Sequence, residues 1–179
     1  MLAVLGKLST EVAQQRPDLL APVVMTAFAG WAAAGQVEVG EIDPELADTA
    51  AFCEAYDVTL EESANCVVVA GKREGDVRYA ACLVLATTRT DVNGIVRRHL
   101  DVRKASFAAM DEAVRLTGME YGGITPIGLP ASWPILVDAA VAATPMVVIG
   151  SGVRRSKLVL PGPALASLPA AVVIDGLGR

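Results

Sequence analysis

The segment Tyr121-Gly122-Gly123-Ile124-Thr125-Pro126-Ile127-Gly128-Leu129-Pro130 places three glycines and two prolines in ten residues. Proline has no amide hydrogen and fixes φ, while glycine adopts conformations closed to other residues. Such a run therefore makes a loop whose main-chain N–H groups can point outward instead of joining a sheet. Hydrolysis of an acyl ester needs an activated water and donors aimed at the tetrahedral oxygen. The amides of Gly122 and Gly123 can supply those donors without a charged side chain. Taken alone, the same pattern also fits a tight turn between strands.

Other nucleophilic chemistry has little to work with. His99 is the only histidine, so a Ser-His-Asp or Cys-His arrangement exists only if that residue serves it. Cys53, Cys66 and Cys82 are odd in number and show no CxxC spacing. That argues against a disulfide framework or a zinc knuckle and for buried thiols in a reducing compartment.

The elements that must hold the loop can be read from pattern. Residues 10–15 suit a short helical turn, and residues 17–34 suit a helix with Leu20, Val24, Ala27 and Trp31 on one face, ended by Gly35. Val37, Val39 and Ile42 alternate with polar residues as in a half-buried strand. Residues 47–56 have helical spacing, and a second short helix begins near Asp57 and Thr59, with Glu61 and Glu62 in its first turns. Residues 65–70 and 78–87 predict a hairpin across residues 71–76. Helices follow over 91–100 and 107–117, the second stopped by Gly118. Short strands are expected at 135–137, 146–149, 158–160 and 171–174, with a helical turn over 164–168 after Pro161-Gly162-Pro163. At 179 residues, 53% hydrophobic but 4% aromatic, the chain can bury an aliphatic core without staples. The expected organisation is an N-terminal helical extension over residues 1–35 and a folded body over residues 36–179.

Charge is uneven. Residues 1–62 carry a net charge of −9 and residues 63–179 one of +4, within an overall −5. Nine of the fifteen basic residues fall in three segments: Lys72-Arg73, Arg97-Arg98 with Arg103-Lys104, and Arg154-Arg155 with Lys157. Each pair alone reads as a solvated face. Together, if they converge, they can hold a few phosphates and position a nucleic acid without reading its sequence. The acidity of residues 47–62 argues against a DNA-reading helix pair there. Residues 1–8 show no leader pattern, and the apolar stretch 19–34 is too short to span a bilayer, so a cytoplasmic protein off the membrane is expected.

The 121–130 loop resembles the glycine and proline loop of the YbaK family, freestanding relatives of the editing domain inserted in bacterial prolyl-tRNA synthetase. The likeness runs in order over residues 45–177. Ala64-Asn65-Cys66-Val67-Val68-Val69 resembles the family's first active-site strand, and Val137-Asp138 its later strand-plus-Asp element. Gly150-Ser151-Gly152 with Ser156-Lys157-Leu158 resembles its glycine turn into a final hairpin. The resemblance implies an α+β fold, a mixed barrel-like β-sheet decorated by helices. It implies binding of the aminoacylated CCA end of tRNA, cleavage of the aminoacyl ester, and no metal or cofactor. Many members carry a lysine at the start of the strand equivalent to Ala64-Asn65, and this chain has none there. Asn65 is the polar group beside that position. Lys157 either replaces the charge or is a surface lysine.

The expected function is deacylation of mischarged aminoacyl-tRNA. Gly122 and Gly123 receive the oxyanion, and Asn65 and Asp138 orient the terminal ribose or α-amine. Thr125 and Pro126 shape the acyl pocket, with Gly128, Gly150, Ser151, Gly152 and Lys157 as further substrate contacts. A catalytically silent module binding tRNA or an aminoacyl nucleotide is the alternative, and hydrolysis of an unrelated small ester or amide a third.

Overall fold

The fold is taken from a computed structural model, which describes residues 5–179. Residues 1–4, part of the expected N-terminal extension and of the stretch read for a leader, lie outside the described residues. Among the described residues, nine strands form two sheets. In chain order the strands are β1 Glu11–Val12, β2 Glu38–Glu41, β3 Ala64–Arg73, β4 Asp76–Leu85, β5 Ala105–Phe107, β6 Ile135–Asp138, β7 Val147–Gly150, β8 Ser156–Leu160 and β9 Ala171–Ile174. The antiparallel sheet runs β1-β2-β8-β7 and the mixed sheet β5-β3-β4-β6-β9, with β6 parallel to both neighbours. Helices α1 Pro22–Phe28, α2 Thr49–Tyr56, α3 Arg97–Leu100, α4 Met110–Thr117, α5 Ala139–Ala143 and α6 Gly162–Leu165 decorate them.

The mixed α+β character expected from the sequence holds. Among the described residues the two sheets are not closed into a barrel: the ladders of each end at open edges, and a single bridge, Ser63 with Val148, joins them. The seam beside that bridge is where the cleft described below opens.

Local chemistry explains most boundaries. Glu74 and Gly75 both have positive φ, the signature of a two-residue turn that matches strand twist, so the β3–β4 hairpin is tighter than the six-residue link expected. Asp57 and Gly118 end α2 and α4 in the left-handed conformation. Thr59 and Glu62 cap each other across a 3-10 turn, Leu60–Glu62.

The long helix expected over residues 17–34 is instead three pieces: a 3-10 turn Pro17–Leu19, then α1, then a 3-10 turn Ala32–Gln36. Pro22 can only open a helix, not continue one, so it restarts the chain as the first residue of α1. Residues 10–15 give β1 before their helical turn because Glu11 and Val12 pair with Val39 and Glu38. Phe107 closes β5 rather than opening a helix, and residues 92–96 wind as a π turn whose start Asp91 caps through the amides of Gly94 and Ile95. Helix α5, absent from the sequence reading, starts where Asp138 accepts the Ala140 amide at 2.8 Å.

The main core lies between the sheets. It joins Leu83, Ile135 and Val137 of the mixed sheet to Ile149, Leu158 and Leu160 of the other, and takes in Val24, Phe28 and Trp31. Trp31 also donates through Nε1 to Ser167 Oγ at 2.9 Å. Replacing Phe28 with alanine is expected to cost about 3 to 5 kcal/mol, as for a buried ring anywhere in a packed core, and urea denaturation checks it. A second cluster covers the other face of the mixed sheet, and a third packs Phe52 of α2 against Val148 and Val159.

Candidate functional site

A cleft of about 490 Å³ opens at the seam. Its walls are two strand edges. Away from β4, strand β3 is paired with β5 only over Val69–Gly71, so its first residues, Ala64 to Val67, keep an open edge there. Opposite stand Val148, Ile149 and Gly150 of β7, whose other edge pairs with β8. Tyr121, Gly122 and Ile124 form the roof, Asp48 and Thr49 one rim, and Phe107 and Ala108 the other.

The two glycine segments singled out in the sequence meet here. Gly152 N donates to Gly123 O at 2.7 Å, Glu120 N donates to Gly152 O at 2.9 Å, and Arg154 N donates to the Glu120 carboxylate at 2.7 Å. Packing is tight because side chains are missing: a Cβ on Gly150 would fall 2.5 Å from Gly123 O, and one on Gly123 2.7 Å from Val153 O. Gly122, at φ +85°, is exposed on the cleft wall.

Lys157 lies on β8 opposite both Gly40 and Gly150. The Leu8 side chain packs over Gly40, and the carbonyls of Gly123 and Ile124 pack over Gly150, while the lysine stem runs on the face covered by α2. Its Nζ donates to Ala47 O at 2.8 Å and stands 5.4 Å from the centre of the Phe52 ring. The residue is 7% exposed and lines the cleft, which overturns its reading as a surface lysine. Burial pulls its pKa down to about 8, with Arg154 adding to the shift and Asp48 and Cys53 opposing it. Asn65 also lines the cleft. Its Oδ1 accepts from Thr49 Oγ1 at 2.6 Å, and its amide N–H groups have no partner among the described residues.

The remaining expected residues are placed elsewhere. The Gly123 amide donates to Glu120 O at 3.0 Å within the loop turn, so it is committed before any substrate arrives. Thr125 is fully buried, with its amide on Met119 Sδ and no partner for its hydroxyl among the described residues. Pro126 and Gly128 face a separate apolar hollow beside Trp31 and Trp133. Ser151 is sealed in a hydrogen-bonded turn with Ser156, and Gly152 packs on Ala21. Asp138 spends one carboxylate oxygen capping α5 and the other on the Gly178 amide. These residues shape and anchor the loop and turn rather than line the cleft.

The sequence reading missed Asp48. It occupies the N-cap position of α2 without capping, and its carboxylate is exposed on the rim 3.9 Å from Arg154. Its signal was an aspartate before a helical run, which ordinarily means only a cap.

His99 is exposed on α3 and does not line the cleft, so no histidine-activated nucleophile operates there. Cys66 does line it, but burial pushes its thiol up, which keeps it protonated and unreactive. Of the basic segments, two meet at one end, where Arg73 and Arg78 share Asp101 at 2.7 and 3.5 Å, and the third flanks the cleft. Among the described residues, no group of three or more His, Cys, Asp or Glu is placed to hold a metal, and no helix is long and apolar enough to cross a membrane.

The family model for the aminoacyl-tRNA editing domain matches residues 43–168. The chain belongs to that family. The family likeness read from the sequence is thereby established over residues 43–168, and the match contains the whole cleft. This chain is similar in fold to a crystal structure described as a candidate trans-editing enzyme for prolyl tRNA synthetase: TM-score 0.74, 23% identity, covering 89% of this chain and 96% of that one. A scaffold protein used for computational epitope grafting matches equally well, at TM-score 0.74 and 23% identity over 89% and 97% of the two chains. A hypothetical protein of known structure gives TM-score 0.68 and 20% identity over 79% and 90%. No curated protein matches the chain in sequence.

Proposed function

We propose that this editing domain hydrolyses the ester of mischarged aminoacyl-tRNA, acting on the free acceptor end with the aminoacyl ribose held between β3 and β7. The observation that carries the reading is Lys157: a buried amine on the wall of a cleft sized for a nucleoside with a small acyl group. With its pKa near 8, it is mostly an ammonium at neutral pH. One N–H is held by Ala47 O, and the others are free to meet the carbonyl oxygen as it gains charge. Gly122 brings the main chain of the loop to the same wall. Asn65 offers two amide donors to the ribose or the carbonyl, and the Asp48 carboxylate receives the α-ammonium, the part that sequence reasoning gave to Asp138.

Water attacks the ester carbon, the carbonyl electrons move onto oxygen, and collapse expels the ribose oxygen, which takes a proton. No lining residue is a histidine, so the vicinal ribose hydroxyl carries that proton. A tRNA ending in deoxyadenosine is then expected to react slower by about tenfold or more, in single-turnover release of labelled amino acid. Equal rates remove the hydroxyl's part.

Incubation with a panel of mischarged tRNAs tests the whole reading: it requires release of amino acid from at least one. Binding without release identifies a silent tRNA-binding module, and release from free aminoacyl esters but not from tRNA identifies a small-ester hydrolase. A cytoplasmic location belongs to the same proposal, since charged tRNA is found there. So does the division into a 36–179 editing body, which carries every residue named above, and an N-terminal layer over residues 1–35 appended to it.

A further inference from the structure

The chain has only eight aromatic residues. Phe28, Phe52, Trp31 and Trp133 are buried, and Tyr56 and Tyr79 are half-buried. Phe107 and Tyr121 stand apart, at 61% and 53% exposed. They come from different elements, the end of β5 and the roof loop, yet both line the one cleft described above. An aromatic ring left in water forgoes the burial that normally stabilises it, so two at one opening in so aromatic-poor a chain call for a partner with flat faces.

The approach to Phe107 is cationic. Arg103 and Lys104 directly precede β5 and are exposed, and Arg98 of α3 is exposed nearby in sequence. None of the three makes an ion pair among the described residues. Asp101, the carboxylate within this segment, is taken by Arg73 and Arg78. Arg103 and Lys104 lie four and three residues before Phe107, within about 14 Å of chain, so cation and ring can serve one short run of RNA. Unpaired bases stack on such rings with little regard to sequence, and their phosphates follow the cations.

We propose that Phe107 and Tyr121 are stacking platforms for the last unpaired bases of the tRNA 3′ end, with Arg103 and Lys104 carrying the phosphates that lead to them. This rests on the deacylation reading, and adds how the RNA is gripped and from which side it enters.

The test uses the full chain and a mischarged tRNA that it deacylates. Phe107→Ala is expected to weaken binding about 10- to 100-fold, the range for loss of one base–aromatic stack, with the loss falling on KM rather than kcat and Phe107→Trp restoring it. The ring is exposed, so the melting temperature should not move. Replacing Arg103 and Lys104 together with alanine should reduce the log–log salt slope of binding by about 1.4, at about 0.7 for each phosphate contact on a single strand. An RNA hairpin with an unpaired end, carrying 2-aminopurine as its terminal base, should be quenched by the wild type and not by Phe107→Ala. An unchanged KM, or a rise that tryptophan does not reverse, overturns the platforms while leaving deacylation in place. A wild type that deacylates nothing overturns both.

Discussion

Lys157→Met is expected to lower the rate of aminoacyl ester hydrolysis by about 10²- to 10³-fold, the usual cost of removing one donor from a developing oxyanion, while leaving the protein at least as stable at pH 7. The two effects have one cause. Burial on the α2 face of β8 pulls the amine to a pKa of about 8, against an ordinary 10.5 in the unfolded chain. Between those values the unfolded state binds the proton and the folded state does not, so wild-type stability rises with pH from 8 to 10.5 and is level below 8. A charged Lys157 at neutral pH thus costs on the order of 3 kcal/mol relative to a neutral group. Methionine has a similar shape and removes that cost. It also leaves Ala47 O without its donor, which returns about 1 to 3 kcal/mol. The variant should therefore melt at or above the wild type at pH 7, and its advantage should shrink as the pH approaches 10.5.

The wild-type rate, after subtraction of spontaneous hydrolysis, should fall as pH rises through 8, because the ammonium is the active form. Thermal melts at pH 7 and pH 10 with single-turnover rates across the range check all three outcomes. A variant that loses its fold at pH 7 along with its activity makes Lys157 a structural residue and leaves the chemistry without a charge. Lys157→Arg is not expected to rescue: the larger planar guanidinium cannot take the place of an ammonium set between Ala47 O and the Phe52 ring without displacing them.

How far this was legible in the sequence follows from where each signal is encoded. The 121–130 loop and the Gly150-Ser151-Gly152 turn stand out locally, because their backbone conformations demand glycine, and the structure stitches them together. The β3–β4 hairpin is equally local. Lys157 could not be placed from its own strand: Ser-Lys-Leu-Val-Leu reads as alternation with lysine on a wet face, yet every residue of β8 is buried. What buries Lys157 is α2, while the Leu8 side chain and the roof loop close over its cross-strand neighbours Gly40 and Gly150, 117 and 7 residues before it in the chain and brought into register by strand pairing. Asp138 misled for the opposite reason. An aspartate after an apolar strand suits a ligand contact and a helix cap alike, and α5, too short for a periodic signal, was not in view. Pro22 was visible, but the apolar face running through it outweighed the break, although the face itself was right: Leu20, Val24 and Trp31 are buried and Ala27 partly so.

Gly150→Ala is expected to lower activity by about 10²-fold through position alone, since no charge, donor or acceptor is removed. The added Cβ would fall 2.5 Å from Gly123 O and 2.7 Å from Ile124 O, both backbone atoms. The loop cannot yield freely, because Gly123 O holds the Gly152 amide and the Gly123 amide is fixed on Glu120 O. Relief must come by moving the whole roof, Tyr121 and Gly122 included, away from Lys157. Overpacking of this kind costs about 1 to 3 kcal/mol, so a modest fall in melting temperature accompanies the loss. Gly35→Ala is the matched control: nothing lies within 4 Å of its Cβ and it is remote from the cleft, so rate and stability should hold. If Gly150→Ala loses stability but keeps its rate, the roof can shift without consequence and the ester carbonyl is not held between it and Lys157. If it loses rate out of proportion to stability, the distance between the roof loop and the buried amine is itself a determinant of the reaction, and the glycine at 150 is present to set it.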